Sequence, residues 1–552
     1  MADEINQMGK SLHALLASWE AVTVGTQLPR PPHYDGPDLR LTCLTEKSGE
    51  VNNGACFVAR VRETSDGHPF ISKAIDNGAM LIVAQKSPLE AGVTVPPGVV
   101  YLQVPDTAAA MAWLAAAWEG FPSRQLVMIG VTGTDGKTTT ANILLAMLRA
   151  AGIRSGLLST TRAVIGEQQE PLELHVTTPE APVVQHHLRR MVEAGMTHCI
   201  LEATSHGLVQ QRVGAIAFDI AVVTNVTHEH LDYHGDFEKY LAAKRLLFEK
   251  LERERWPAAG TSAPKQSQER TAILNRDDGS YQSLSSVPAA QQISYAIHAN
   301  ADVMAANIVY AAAETRFMIN VSPILQPASQ QRIALRSPLA GEFNVYNALA
   351  AASAALAAGA PLQAVSQGLQ DMEQVSGRME RIDAGQPFQV IVDFAHTPNA
   401  LANVIRAARR MAEGRIIVVF GSAGKRDVSK RQLMAEIAAA EADLYILTAE
   451  DPRTDPLEEI LTSMAGAAAA AGGVEGQTFW RVSDRGIAIH FALSLARAED
   501  IVLICGKGHE QSMCFGVVEY PWDDRVAARK ALEALAAGEP MADLGLPTFK
   551  AG

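Results

Sequence analysis

The sequence predicts an α/β fold in three domains: a small N-terminal α/β unit, a central parallel-sheet domain around a phosphate-binding loop, and a C-terminal Rossmann-like, doubly wound domain. Three observations carry this. The chain has 552 residues, too many for one hydrophobic core at roughly 150 residues per domain. Buried-strand runs alternate with helical stretches over most of its length, the pattern of parallel sheets with crossover helices. The segment LVMIGVTGTDGKTTTANILLAMLRAAG, starting at Leu126, passes from an apolar strand through a glycine-rich turn into an amphipathic helix, and a second domain begins there.

Taken in order, residues 1–122 mix strand-like runs, ACFVARV (55–61), AMLIVAQ (79–85) and VVYLQV (99–104), with helical stretches such as SKAIDNGA. The composition changes at FPSRQ (121–125), and the central domain is assigned to 123–376. Within it THCILEAT (197–204) and IAVVTNV (220–226) end in polar residues, as expected where a parallel sheet presents its carboxyl ends to a ligand. The Pro-, Ser-, Gln- and charge-rich stretch 252–270 reads as a surface insertion without a role in function. Residues 300–335 read as β-hairpins and 341–360 as a helix. The third domain, 377–552, carries the buried strands FQVIVDFAH, RIIVVFGSAG, DLYILTAED and DIVLICGKG separated by helices.

Composition narrows the function. Hydrophobic residues at 48% and charged residues at 19% exclude a largely disordered chain. Forty-seven Lys and Arg against 60 Asp and Glu give a net charge of −13, which repels nucleic acid and anionic membranes but leaves room for a local anion pocket. Five scattered cysteines, with no C-x-x-C pair, read as reduced thiols and point to the cytoplasm. No apolar run is long enough for a signal peptide or a bilayer span, so no membrane insertion is expected.

The richest motif is GVTGTDGKTTT, residues 130–140. Gly133 and Gly136 permit the turn, backbone N–H groups and the helix dipole can cradle phosphates in a loop that includes Thr134, Asp135 and Thr139, Lys137 can neutralise them, and the Thr138 hydroxyl can ligate magnesium. The strict G-x4-G-K-T spacing fails by one position, because Val131 stands where glycine is wanted. Glu202 ends a buried strand and suits a metal ligand beside Thr138. The cluster HEHLDYH gives His228, His230 and His234 an H-x-H-x3-H spacing that also fits zinc, though loop histidines are the commoner reading. Asn344 and Asn347 lie three apart on one helix and can face one way to bond an adenine edge, or serve as caps. Composition alone makes Lys244 a solvated helix lysine.

GTDGKTTT resembles the ATP loop of the Mur ligases, ATP-dependent amide-forming synthetases. The likeness continues through TTPE (177–180), EATSHGLVQQR (202–212), TNVTHEHLDYHG (224–235), AAKRLLF (242–248), GEFNVYNALAA (341–351), SGRMERI (376–382), DFAHTPNAL (393–401), EDPRTDP (450–456) and GKGHEQ (506–511). Within the family it is most similar to the MurE type, which adds the third residue of the peptidoglycan stem peptide. The resemblance implies an N-terminal domain for a UDP-sugar peptide, a central ATP domain and a C-terminal amino-acid domain.

It further implies ATP and two magnesium ions, with Thr138 and Glu202 on the first and His230 on the second. Lys244 is implied to be carbamylated, a cation turned into a metal-binding carboxylate analogue. Arg378 resembles an arginine that contacts ATP phosphates, Asp393 an acid that bonds the ribose, and His396 lines the same strand exit. Thr177, Thr178, Thr204, Gln210 and Arg212 match positions that hold UDP-N-acetylmuramoyl-L-Ala-D-Glu. Asp451, Arg453, Gly506 and Glu510 match contacts to a diamino acid, meso-diaminopimelate or lysine or ornithine. Arg453 speaks for the distal carboxylate of diaminopimelate, while Glu450-Asp451, in place of Asp-Asn, adds a negative charge that suits a distal ammonium. The family's Asp-Ser-Arg near the uridine is replaced by Thr45-Glu46-Lys47-Ser48. A monomer is expected. The rivals are a Mur-like ligase for another carboxylate, of folylpolyglutamate or cofactor type, and a nucleotide-binding partner subunit without catalysis.

Overall fold

The computed structural model describes residues 9–549 apart from 64, 173–176, 228–230, 254–259, 312–313, 326–330 and 426–427. His228 and His230 thus lie outside the described residues. Among the described residues three main sheets carry the fold.

The first is a four-stranded parallel sheet of Leu44–Thr45, Ala55–Val58, Ala79–Ala84 and Val100–Gln103. Helix Thr107–Trp118 follows, its start fixed by the Asp106 carboxylate accepting from the N–H groups of Ala108 and Ala109. Such a cap contributes about 1 kcal/mol. The helix is apolar on all sides because it is covered on all sides. Trp113 stacks on Trp19 at 5.8 Å, and the same core takes in Ala181, Ala215 and Ala217 from the next part of the chain.

The central sheet has eleven strands among the described residues, with Val127–Thr132 between His198–Glu202 and Ile220–Val223, all parallel. All six residues of Val127–Thr132 are buried, as an unbroken apolar run demands when both faces are covered. Alternation sends Val127, Ile129 and Val131 into a core with helices Lys137–Ala150 and Glu342–Ala357, and Met128 into another with Leu188, Met191, Leu247 and Phe248. The expected hairpins are strands Val303–Tyr310, Thr315–Val321 and Arg332–Ser337, antiparallel to one another, the first joining the sheet parallel to Gln291–Ala296.

The third sheet runs Glu380–Ile382, Gln389–Asp393, Ile501–Cys505, Ile416–Phe420, Leu444–Leu447, Phe479–Arg481, parallel except for the first strand. Helices cover both faces, with Val418 and Phe420 in one core and Ile417 and Val419 in the other. No helix among the described residues is long and apolar enough to cross a membrane.

One expectation needs revision. Part of the stretch 252–270 is anchored rather than superficial: Ala263–Ser267 is a helix whose Lys265 is buried. Lys265 Nζ donates to Leu126 O at 3.0 Å, Ala217 O at 2.8 Å and Asp219 Oδ2 at 2.5 Å, while Asp219 also accepts from Met128 N. Hydrophilic composition concealed a lysine that neutralises a buried acid at the foot of the central strand. Lys265→Ala leaves that acid unpaired and is expected to cost about 3–5 kcal/mol in denaturant unfolding, an effect that Asp219→Asn made in addition should largely relieve.

Candidate active site

The site grows from the carboxyl end of the Val127–Thr132 strand. Gly133 (φ +148°) and Gly136 (φ +82°) turn the chain, and neither position admits a side chain. A Cβ on Gly133 would lie 1.8 Å from Thr224 Oγ1, and one on Gly136 2.2 Å from Asn347 Oδ1. Helix Lys137–Ala150 starts immediately after, so its free N–H groups and positive dipole end face the loop. The neighbouring strand exit holds the loop: Thr134 N donates to Asn225 O at 2.8 Å, Asp135 N to Asn225 Oδ1 at 3.0 Å, and Thr224 Oγ1 to Asp135 O at 2.6 Å. Lys137 Nζ folds back onto Gly133 O at 3.0 Å and Thr134 O at 2.7 Å. Thr139 is buried inside the first turn.

Glu202 is buried at the end of its strand and accepts from Thr138 Oγ1 at 2.9 Å, Thr160 Oγ1 at 3.0 Å and Thr160 N at 3.2 Å. Burial pushes its carboxyl up from the usual range, against the opposing pull of Lys137 and Thr138. A cation would let it ionise, and an adjoining carboxylate and hydroxyl are the hard oxygen donors that magnesium takes. The residues therefore fit that ion.

Lys244 is not solvated. It sits on the buried face of helix Phe237–Arg253, 1% exposed. Its Nζ donates to Gly133 O at 2.7 Å and lies 4.4 Å from the centre of the Tyr240 ring. His234 packs at a tilt against the Tyr240 ring, 5.3 Å between centres, and edge-on against His206 at 5.4 Å.

Thr178, Thr204, Gln210 and Arg212 come together beside Glu202. Thr178 Oγ1 lies 3.0 Å from both Glu202 O and Thr204 Oγ1. Arg212 donates to Thr178 O at 2.7 Å and to Gln210 Oε1 at 2.8 Å. Thr177 adjoins them in the chain.

Asn344 and Asn347 do share a face. Both are buried, with Asn347 Nδ2 donating to Asn344 Oδ1 at 3.0 Å and Thr140 Oγ1 to Asn347 Oδ1 at 3.3 Å, so they brace the phosphate loop's helix. Next to them a cavity of about 300 Å³ opens between the central and C-terminal sheets, lined by Asn275, Asp277, Glu342, Tyr346, Asn399 and Arg410 among others. Its size and its mix of polar groups suit a nucleoside. Asn399 Nδ2 donates across the cleft to Asp135 Oδ2 at 3.1 Å.

From the third sheet, Asp393 at the end of its strand accepts from Met379 N at 2.7 Å and Ala395 N at 2.8 Å. Burial pushes it up, opposed by Arg378. Arg378 lies over the Phe394 ring at 4.5 Å, its buried Nε without a hydrogen-bond partner among the described residues. His396 caps the same ring at 4.4 Å. Gly506 N donates to Asp393 O at 3.1 Å, which brings the GKGHEQ loop alongside.

There Lys507, buried, bridges Asp451 at 2.8 Å and Glu510 at 2.5 Å. Asp451 also accepts from Cys514 N at 3.0 Å, while Arg453 N donates to Cys514 O at 3.0 Å. Burial and the adjacent Asp451 push Glu450 up to about 8, so it is mostly protonated at neutral pH. A proton on Glu450 and the single charge of Lys507, shared between Asp451 and Glu510, offset two of these three acids and leave one negative charge in the cluster. Arg453 has no ion-pair partner among the described residues.

Thr160, Lys507, Asp277 and Tyr346 carry parts of this site without having been singled out. Thr160 could have been found as the polar exit of the strand Ser155–Leu158, and Lys507 as a lysine between two glycines after a buried strand.

Residues 131–355 match the Mur ligase middle domain and residues 377–508 the Mur ligase glutamate ligase domain. A UDP-N-acetylmuramyl-tripeptide synthetase from a Roseiflexus species is 42% identical over 93% of this chain and 98% of its own. A UDP-N-acetylmuramoyl-L-alanyl-D-glutamate–2,6-diaminopimelate ligase from Bacillus licheniformis is 38% identical over 92% and 98%. A solved structure of a ligase of that second name superposes with a TM-score of 0.61 at 30% identity, covering 92% of this chain and 98% of that one. Similarity that runs through both family domains and nearly the full length of these relatives has one explanation: the chain belongs to the Mur ligase family.

Proposed function

We propose that this chain is an ATP-dependent amide ligase of cytoplasmic peptidoglycan precursor synthesis, which joins meso-diaminopimelate to UDP-N-acetylmuramoyl-L-Ala-D-Glu. The observation that carries the reading is the phosphate loop beside the buried Glu202, reached across the cleft by Asn399 of the C-terminal domain, which also holds the Lys507 cluster and Arg453, without an ion-pair partner among the described residues. Lys507 leaves one acid charge of the cluster over, which can take the distal ammonium that diaminopimelate, lysine and ornithine all offer. An amino acid whose side chain ends in a carboxylate beside that amine would also find Arg453.

The D-glutamate γ-carboxylate attacks the γ-phosphorus of ATP, the bond to the β-γ bridging oxygen breaks, and ADP leaves. The amine of the incoming amino acid then adds to the acyl phosphate carbon, phosphate departs, and the nitrogen loses a proton. Magnesium, when bound at Thr138 and Glu202, would supply charge neutralisation on the transferring phosphoryl group. Lys137 leaves its two carbonyl partners to take a phosphate oxygen. Arg378 offers an unsatisfied N–H to the same charge. Thr178 and Arg212 orient the acceptor, and Asn399 on Asp135 links the two sides of the cleft. A carbamate on Lys244 and a second magnesium with His230 belong to the same reading, as does a monomeric enzyme.

The test is to supply ATP, magnesium and the nucleotide-dipeptide with diaminopimelate, lysine or ornithine separately, and weigh the product. Diaminopimelate alone should add its mass. Arg453→Ala should raise KM for diaminopimelate about tenfold or more with little change for ATP; an equal loss for all three amino acids would remove the reason for naming it.

A further inference from the structure

Between the N-terminal and central sheets lies an ion cluster of which the reaction above uses only Arg212. Arg60 Nη1 is 3.2 Å from Glu180 Oε2 and 3.5 Å from Glu46 Oε2, Arg62 Nη2 is 3.3 Å from Glu180 Oε1 and also pairs with Glu46, and Arg212 Nη2 is 3.1 Å from Glu180 Oε1. Three guanidinium groups thus share two carboxylates, and one positive charge is left over. The Arg60 side chain is only 3% exposed, and its Nε has no hydrogen-bond partner among the described residues. Glu46 Oε2 is likewise buried without a hydrogen-bond partner among the described residues. The surplus positive charge has its outlet at the partly open Arg62, where a bound anion would offset it.

The cluster is one residue removed from the chemistry. Arg212 reaches Thr178 O, Thr178 reaches Glu202 O, and Arg60 Nη2 donates to Gln210 O at 3.4 Å. An acceptor whose reacting carboxylate lies at Thr138 and Glu202 must pass Thr178 on its way to the N-terminal sheet. It then meets Arg62, whose side chain is one-third open to solvent.

We propose that Arg60 and Arg62, held in place with Arg212 by Glu46 and Glu180, form an anion subsite that binds a second acidic group of the acceptor substrate. This rests on the ligase reading. The acceptor offers two sources of such charge, the remaining D-glutamate carboxylate and the UDP diphosphate. Arg62 is the specificity-determining residue because it is the accessible cation, and Glu46 opposes it by holding part of its charge.

The two residues therefore predict opposite signs. Arg62→Ala should weaken acceptor binding about tenfold or more, seen as a higher KM, with kcat and the KM values for ATP and amino acid within about twofold. Arg62→Lys should keep part of the affinity. Glu46→Gln should strengthen acceptor binding. Equilibrium titration with the nucleotide-dipeptide in the absence of ATP reads the subsite even if no product forms, so failure of ligation would count against the proposed reaction alone. Two analogues separate the sources: an acceptor amidated at the D-glutamate α-carboxylate, and a muramoyl-dipeptide lacking UDP. The Arg62→Ala penalty should vanish with one of them. A penalty unchanged with both, affinity shifts of the same sign in Arg62→Ala and Glu46→Gln, or a wild type that does not bind the acceptor would each overturn the subsite.

Discussion

Glu202→Gln is expected to lower kcat for ligation by about 10²–10³-fold, the loss of several kcal/mol of charge stabilisation in the phosphoryl step, while leaving the free protein at least as resistant to heat as the parent. The two halves of this result have one cause. Glu202 is buried among Thr138, Thr160 and the phosphate loop, and burial raises its pKa in the folded chain. A carboxyl whose folded pKa lies above its unfolded value contributes stability below the unfolded pKa and loses that contribution as pH rises through the folded one. Without a cation, ionising Glu202 as pH rises is therefore a cost that glutamine removes. With ATP and magnesium the order should reverse: the parent gains thermal stability by mass action and the variant does not. Melting curves with and without magnesium nucleotide, at pH 5 and pH 8, check both halves. A variant that melts early without ligand and keeps its magnesium-dependent gain would mean that Glu202 is a structural hydrogen-bond acceptor and not a metal ligand.

How far such a site can be read from sequence depends on how local its parts are. The phosphate loop was legible because its glycines, Lys137 and Thr138 are adjacent, and the strand and helix around them follow from periodicity. The strand ends at Glu202 and Asp393 were legible as polar stops after apolar runs. The Glu450-Asp451 pair was legible as charge but not as part of a cluster, because the cation that Asp451 shares with Glu510 is Lys507, 56 positions away. Arg60 meets Glu180 and Gln210 at separations of 120 and 150 residues, and nothing local marks it. The anchoring role of Lys265 was missed for the same reason, since its acid is Asp219. Lys244 is a different case. Tyr240, Ala243, Leu247, Phe248 and Leu251 form the buried face of its helix, and Lys244 falls on that face by spacing alone. A lysine at an apolar-face position was a signal in plain view, and only the resemblance drew attention to it.

That lysine supports the second large effect. Lys244→Ala should reduce ligation by about 10²–10³-fold, and a short carboxylic acid such as acetate should restore part of it. As an ammonium, Lys244 has little to offer here: its Nζ is spent on Gly133 O and the Tyr240 ring, and a fixed positive charge beside a cation site disfavours the cation. A carbamate keeps one N–H for Gly133 O and replaces the positive charge with a carboxylate that can meet a metal. The two forms respond differently to three treatments. If the ammonium is the working form, Lys244→Arg preserves the charge and retains activity, removal of carbon dioxide has no effect, and acetate does nothing for Lys244→Ala. If the carbamate is the working form, Lys244→Arg is as inactive as Lys244→Ala, degassed buffer slows the parent until bicarbonate is returned, and acetate revives only the alanine variant, whose truncated side chain leaves space for it. The expected result is the second set. Retention of activity by Lys244→Arg in carbon-dioxide-free buffer would exclude the carbamate, and the lysine would then be a buried brace that fixes Gly133 and, through it, the phosphate loop.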